Sequence, residues 1–170
     1  MDRLKNILKF AMKLESQGEK FYTYYADQVK NPNNKKLLQN LAQIEHSHYL
    51  FLKKKYDELY FAKDLHDIAW VVDSKNIIHP SIFSSAADHL NMGNDDDAIS
   101  DLAILRIAYT IEDDFANFYR TAAEQVDFQD AKDFLLTLAA WEDEHREIFH
   151  KGYSQQLKAS WGDLASMILK

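Results

Sequence analysis

The chain has 170 residues, 46% of them hydrophobic, and a formal net charge of −7. This length and composition predict one globular domain, residues 1–170, with a sizeable core. The lack of cysteine excludes disulfides, thiolate zinc sites and cysteine-held iron–sulfur clusters. The acidic balance argues against nucleic acid as a partner, and no apolar run is long enough to predict a membrane span. Because the N-terminal segment lacks the apolar core of a secretion signal, we expect a cytoplasmic protein.

The first part of the chain carries apolar side chains at the spacing of two amphipathic helices. The predicted helices cover residues 3–30 and 34–62. The segment 31–33 (Asn-Pro-Asn) interrupts the pattern between them, because proline is favoured at the start of a helix and not inside one. The two helices are therefore expected to form a helical hairpin over residues 3–62.

A less regular stretch, residues 63–95, predicts a long crossover after the first hairpin. Within it, residues 79–81 (His-Pro-Ser) predict the start of a short helix. The third helix is expected to begin near the acidic residues 95–97, because acidic side chains stabilise the positive end of a helix. A second hairpin then covers residues 96–152, with its turn at 127–130.

The last segment, residues 155–169, predicts a short amphipathic helix of its own. Its apolar stripe consists of Leu157, Trp161, Leu164 and Ile168. We expect this C-terminal helix to cover the bundle end or to contact a second chain. Membrane attachment is disfavoured because its polar face is not rich in lysine and arginine. Together the elements predict an all-α, ferritin-like four-helix bundle built from two repeated helical hairpins with a long crossover.

The two halves of the chain repeat each other at an offset of 97 residues. The repeated residues that can bind metal are Glu15, Glu45 and His48, followed by Glu112, Glu142 and His145. Each half therefore carries one Glu and, thirty residues later, a Glu-x-x-His motif. Apolar positions match as well, but any two amphipathic helices share those. Three polar matches at one offset indicate a functional site.

The spacing within each half predicts that these side chains lie at one height in the bundle. In an antiparallel hairpin, residues equidistant from the turn lie side by side. The midpoint of Glu15 and His48 is 31.5, and that of Glu112 and His145 is 128.5, each inside a predicted turn. Each position is about 15 residues, or roughly 22 Å, from its turn. We therefore expect all six side chains to converge in the middle of the bundle.

Four buried carboxylates require compensating positive charge. No lysine or arginine recurs at a matching inward position, so structural ion pairs would leave the carboxylates uncompensated at a cost of many kcal/mol. Two divalent ions would balance four carboxylates. Imidazole with carboxylate suits iron, manganese or zinc better than magnesium or calcium. Since di-metal carboxylate bundles favour iron, the sequence predicts a centre of two iron ions.

The segments that carry these residues resemble the rubrerythrin branch of the ferritin-like superfamily. They read LESQGEKFY and IEHSH in the first half, and IEDDFANFY and WEDEH in the second. The resemblance covers about residues 3–152. It implies that the six repeated Glu and His residues are the ligands of a di-iron centre. It also implies an oxidoreductase that reduces hydrogen peroxide or oxygen, in defence against oxidative stress. A manganese or mixed-metal centre remains an alternative.

The chain departs from rubrerythrins at two points. Rubrerythrins usually carry a four-cysteine rubredoxin domain that delivers electrons, whereas this chain has no cysteine. We therefore expect a separate electron donor, such as a rubredoxin-like protein. Full rubrerythrins also have an extra Glu three residues after the third-helix Glu, where this chain has Phe115. The chain is more similar to rubredoxin-less, erythrin-like members, whose activities vary.

Two pairs of repeat-related residues flank the expected ligands. Tyr22 and Tyr119 each follow a ligand Glu by seven residues, and we expect their hydroxyls to support catalysis by hydrogen bonding to a ligand carboxylate. Gly18 and Phe115 also occupy equivalent positions. One hypothesis is that Gly18 opens room for oxygen or peroxide while Phe115 closes the other side. The alternative is that Gly18 only allows close helix packing.

Several polar residues beside the ligand positions are expected to play other roles. Glu19 lies four residues after Glu15 and is expected at the rim of the site rather than as an extra ligand. His46 follows a ligand directly but points about 100° away, toward solvent. Asp113 and Asp114 are candidates for binding the second ring nitrogens of the histidines.

Three other functions remain open from the sequence. Iron storage requires a large hollow assembly of chains, whereas the oxidoreductase requires only a monomer or a dimer, and we expect a homodimer. Manganese catalase-like chemistry depends on the identity of the metal. A scaffold that binds no metal predicts that chelators change neither stability nor shape.

Overall fold

The computed structural model of the chain describes residues 1–70 and 95–168, and the side chains of 1–70, 101–158, 161 and 162. These residues form four α-helices: α1 (Asp2–Ala26), α2 (Pro32–Phe61), α3 (Asp95–Glu124) and α4 (Gln129–Ile168). A short 3₁₀ helix, Leu65–Asp67, follows α2. The fold is the all-α, ferritin-like four-helix bundle that the sequence predicts. None of the helices in these ranges combines the length and the apolar character that a membrane span requires.

The first turn is built as its sequence predicts. The Asn31 side chain caps α2 by accepting a hydrogen bond from the Asn33 backbone N–H at 2.8 Å, and Pro32 occupies the first helical position. Helix α1 ends at Ala26 rather than near residue 30. The reason is that the backbone N–H groups of Lys30 and Asn31 donate to the Asp101 side chain instead of continuing the helix.

Asp101 ties the first hairpin to α3. Its carboxylate is buried and accepts from the backbone N–H groups of Lys30 and Asn31, each at 2.9 Å, and from Asn34 Nδ2 at 2.8 Å. One side chain thus satisfies three donors of the turn between α1 and α2. The turn cannot move away from α3 without leaving these donors unpaired.

Replacing Asp101 by Ala is expected to lower the free energy of unfolding by about 3 kcal/mol, because the buried donors lose their acceptor. Denaturation of the metal-free protein in urea, followed by circular dichroism, measures this loss. Asp114→Ala is the matched control, because Asp114 is an exposed carboxylate on the same helix. Equal stability of the two variants would contradict the anchoring role.

The C-terminal segment differs from the prediction. Residues 155–168 do not form a separate helix but continue α4 without a break to Ile168. No proline lies between residues 152 and 168, and Gly152 and Gly162 each cost a helix only about 1 kcal/mol relative to Ala. In the predicted stripe, Leu157 is half-buried and Trp161 is 65% exposed. The short helix predicted to start at 79–81 lies outside the described residues, as does most of the crossover.

The core lies in two parts, one on each side of the middle of the bundle. One part contains Leu4, Leu8, Leu52, Leu59, Phe134 and Leu138, and the other contains Leu37, Leu38, Leu41, Ile44, Leu105 and Phe149. Both parts draw side chains from more than one helix, so they hold the two hairpins face to face. The polar residues of the repeat lie between the two parts, where little water can reach them.

Candidate metal centre

The structure brings all six repeated Glu and His residues together. Each of them is fully buried. They form two overlapping groups, Glu15, Glu45, His48 and Glu142 in one, and Glu45, Glu112, Glu142 and His145 in the other. Within each group the possible ligand atoms lie within 4.8 Å of one another. Glu45 and Glu142 belong to both groups, and they come from different hairpins. The arrangement therefore offers two four-residue sets of donors that share two carboxylates.

The imidazoles face the carboxylates of both hairpins. His48 Nδ1 lies 3.5 Å from Glu15 Oε2 and 3.4 Å from Glu142 Oε1. His145 Nδ1 lies 3.0 Å from Glu142 Oε2, 3.2 Å from Glu112 Oε2 and 3.4 Å from Glu45 Oε1. The two rings are nearly parallel, with centroids 5.4 Å apart. Each histidine thus lies where its own group of carboxylates converges.

Many polar atoms of the centre have no hydrogen-bond partner among the described residues. They are Glu15 Oε2, both carboxylate oxygens of Glu45, both ring nitrogens of His48, Glu142 Oε1 and His145 Nε2. A buried polar atom without a partner costs about 1–3 kcal/mol, and so many in one place are unfavourable for a merely structural cluster. The unpaired atoms are carboxylate oxygens and imidazole nitrogens, which are the donors that iron and manganese bind. The residues therefore fit a pair of metal ions.

The carboxylates of the metal-free centre differ in their affinity for protons. Burial, together with the negative charges of Glu142 and Glu112, raises the pKa of Glu45 well above its usual range. Burial also raises the pKa of Glu112 to about 7, although His145 opposes the shift. Burial acts on Glu142 in the same direction, but the two histidines outweigh it and lower the Glu142 pKa. The two shared carboxylates are thus shifted in opposite directions: Glu45 holds its proton more tightly than an ordinary glutamate, and Glu142 holds its proton less tightly.

The pKa values of the two histidines are raised by the neighbouring carboxylates, although burial acts in the opposite direction. Burial disfavours their charged form, but the carboxylates of Glu142 and Glu15, which face Nδ1 of His48 at 3.4 and 3.5 Å, stabilise that charge and raise the pKa of His48 to about 9. The charges of Glu142 and Glu112 raise the pKa of His145 well above its usual value, again against the effect of burial. Without metal, protons on the imidazoles and carboxyls therefore partly compensate the negative charge.

Two tyrosines link the hairpins across the centre. The Tyr22 hydroxyl donates to Glu112 Oε1, and the Tyr119 hydroxyl donates to Glu15 Oε1. Each tyrosine thus holds a carboxylate of the other hairpin. Burial and the neighbouring carboxylates raise the pKa of both hydroxyls well above the usual value, so both remain donors at neutral pH.

Gly18 does not open a route to the centre. A Cβ atom at this position would lie 3.2 Å from Phe115 Cε2 and 3.4 Å from Glu45 Cγ. The space left by the missing side chain is therefore filled by the Phe115 ring, and the hypothesis that Gly18 makes room for oxygen or peroxide is wrong. The alternative, that Gly18 allows close packing, agrees with the structure.

The neighbouring polar residues lie outside the cluster. Glu19 Oε1 lies 3.1 Å from His46 Nδ1 in a partly exposed pair, in the wall of a groove of about 850 Å³ between α1 and α2. Asp113 does not bind a histidine, because Arg146 Nη1 donates to it at 2.7 Å. Sequence reasoning missed this ion pair, because its two residues lie on different helices. The i, i+3 spacing of Asp143 and Arg146 predicts only the second pair that Arg146 forms, at 3.0 Å.

Two aromatic side chains pack against residues of the centre. The Trp141 ring stacks on His48 of the other hairpin at 5.1 Å between centroids. Phe149 stacks on Tyr22 at 5.6 Å. Phe149 was not singled out from the sequence, although it lies four residues after His145 and hence on the same side of α4. Such rings restrict the orientation of the groups they cover.

Comparisons with known proteins agree with this site and fold. The family model of rubrerythrin matches residues 6–86 and 103–160. A solved structure of a hypothetical protein from Pyrococcus furiosus has a similar fold, with a TM-score of 0.64 and 21% sequence identity over 91% of this chain and 90% of that chain. No curated protein matches the chain significantly. Because the family model covers most of the sequence, including all six clustered residues, the chain belongs to the rubrerythrin family.

Proposed function

We propose that the protein is a di-iron oxidoreductase that reduces hydrogen peroxide or oxygen. The observation that supports this most strongly is the pair of overlapping donor groups, which share Glu45 and Glu142. Two carboxylates common to both groups suit two metal ions close together rather than two separate sites. Membership of the rubrerythrin family supports the same reading.

In this proposal each metal ion has its own ligands and two shared ones. Glu15 and His48 would hold one ion, Glu112 and His145 would hold the other, and Glu45 and Glu142 belong to both groups of donors. Four ionised carboxylates balance the charge of two divalent cations, and the imidazoles bind in their neutral form. The same donors accept manganese, so the identity of the metal decides between peroxide reduction and catalase-like chemistry.

The chain itself contributes positioning and the exclusion of water. When bound, ferrous ions would supply electrons for reducing the oxidant, and we expect a separate electron donor to reduce the ions again, since the chain has no cysteine to hold an iron site of the rubredoxin type. The hydroxyls of Tyr22 and Tyr119 hold Glu112 and Glu15 in place. Full burial of the six ligands keeps bulk water away, which strengthens the electrostatic interactions inside the site.

Elemental analysis of untagged protein from iron-supplemented cells tests the proposal first. About two irons per chain and rapid oxidation of the reduced protein by peroxide or oxygen in stopped-flow absorption would support it. Two manganese ions per chain would favour catalase-like disproportionation. A large cage in size-exclusion chromatography would favour iron storage. No metal, and no uptake of ferrous iron under anaerobic conditions, would contradict every metal-based function.

Tyr22→Phe is expected to weaken metal binding about 10- to 100-fold, because Glu112 loses the donor that orients it. Competition with a chromophoric chelator measures the affinity. Tyr119→Phe should behave alike, since it removes the repeat-related hydrogen bond. Tyr24→Phe is the control, because Tyr24 is 62% exposed. If Tyr22→Phe binds metal as tightly as this control, the hydroxyl does not position the ligand.

A further inference from the structure

We propose that Phe115 determines which exogenous ligands reach the metal centre, by filling the space beside Glu45 that Gly18 leaves. The inference rests on the proposed function, since it concerns access to the metal ions that the cluster would hold. It assigns to Phe115 a role in specificity, and to Gly18 the role of accommodating the ring.

The geometry around Gly18 places the ring and the shared carboxylate next to each other. The Cβ position of residue 18 is 3.2 Å from Phe115 Cε2, 3.4 Å from Glu45 Cγ and 3.6 Å from Glu45 Oε2. Phe115 is 6% exposed, so the ring is enclosed in the bundle. Glu45 Oε2 has no hydrogen-bond partner among the described residues. The ring therefore borders the same small space as a carboxylate oxygen that is available for a metal.

The side chains at positions 18 and 115 are complementary in size. They are repeat-related, yet one half has no side chain there and the other has a large ring. An alanine at position 18 would place its Cβ 3.2 Å from the ring, so the ring would have to shift. Glycine inside a helix costs about 1 kcal/mol relative to Ala. Its presence in α1 is explained by the room that Phe115 requires.

The apolar character of the Phe115 ring determines its effect on the metal centre. A phenyl group has no lone pair for a metal and no hydrogen-bond donor for water. The side of the centre next to Glu45 is therefore apolar and filled. Diatomic oxygen and hydrogen peroxide are small enough for a tightly packed site, whereas larger anions and alkyl hydroperoxides need the volume that the ring occupies.

Phe115→Ala tests this role with azide as the probe. Wild-type protein and variant are loaded anaerobically with Co²⁺, whose visible absorption reports changes in ligation, and are titrated with sodium azide. We expect the variant to bind azide at least about tenfold more tightly than the wild type. Phe134→Ala is the matched control, because Phe134 is an equally buried ring about 12 Å along α4 from Glu142. It should leave the azide affinity unchanged.

The outcomes separate this proposal from the function on which it rests. If both proteins take up two Co²⁺ ions and bind azide equally, Phe115 does not control access, while the metal centre stands. If the wild type takes up no Co²⁺, the metal centre fails and the role of Phe115 fails with it. Should Phe115→Ala not fold, Phe115→Leu creates a smaller void and is expected to shift azide affinity in the same direction. Unchanged affinity in that variant would overturn the proposal.

A second measurement tests the pairing of the two residues without any metal. Gly18→Ala is expected to lower the melting temperature of the metal-free wild type because the new methyl group crowds the ring. In the Phe115→Leu background the same substitution is expected to be neutral or stabilising, because alanine favours the helix. An equal loss in both backgrounds would show that Gly18 does not serve Phe115.

Discussion

Glu45→Gln is expected to remove both metal ions from the protein while leaving the metal-free fold intact. Glu45 is shared by the two donor groups, so its loss affects both ions at once. In the metal-free state burial raises the pKa of the Glu45 carboxyl and so favours its protonated form, which glutamine closely matches in shape. The metal content should fall from about two ions per chain to nearly none, while the free energy of unfolding without metal changes by less than about 1 kcal/mol.

Two further variants test whether the loss of metal depends on the donor group to which the replaced residue belongs. Glu15→Gln removes a carboxylate from one group only, and is expected to leave about one ion per chain bound. Glu19→Gln is the control, because Glu19 lies one turn from Glu15 but outside both groups, and it should retain two ions. Elemental analysis and unfolding in urea measure both quantities. Full metal content in Glu45→Gln, or equal losses in all three variants, would contradict the shared arrangement.

Metal loading is expected to release more than one proton per chain near pH 7. His48, with a pKa of about 9, is protonated near pH 7, and the pKa values of His145 and Glu45 are also raised. Glu112, with a pKa of about 7, contributes a further fraction. Glu142 contributes none because its pKa is lowered. All of these protons must leave before the ligands can bind metal.

The sign of the pH dependence follows from the raised pKa values. Protons compete with metal, so the overall association constant for two ions should rise more than about tenfold per pH unit near pH 7. The rise should flatten as the pH passes the His48 pKa of about 9. Calorimetric titration with Zn²⁺ in two buffers of different ionisation enthalpy counts the protons. His46→Ala, which removes an exposed histidine, should give the same count. A release of less than one proton would contradict the protonated state described for the centre.

The repeat in the sequence was enough to predict the fold and the convergence of the six residues. Equal distances from the turn and i, i+3 spacing on a helix are properties of the backbone, so Glu15, His48, Glu112 and His145 could be placed without a structure. The length of α4 was not predicted. A glycine such as Gly152 costs a helix only about 1 kcal/mol, so small differences in packing decide whether the helix continues through it.

Contacts between the two hairpins could not be predicted from the sequence. The hydroxyl of Tyr22 was expected on some ligand carboxylate, but its bond to Glu112 depends on how the two hairpins pack. The filling of the space at Gly18 by Phe115 depends on the same packing. Helical periodicity states which face of a helix turns inward, but not which residue of another helix it meets.

The division of ligands between hairpins gives the metal ions a mechanical role. Each donor group takes three residues from one hairpin and one from the other, Glu142 in the first group and Glu45 in the second. Each ion would therefore cross-link the two hairpins, in addition to its role in catalysis. If the chain were cut within the crossover, bound metal ions would still connect the two pieces. The metal ions would add to the apolar packing between the hairpins, so the association of the two pieces would strengthen with metal supply.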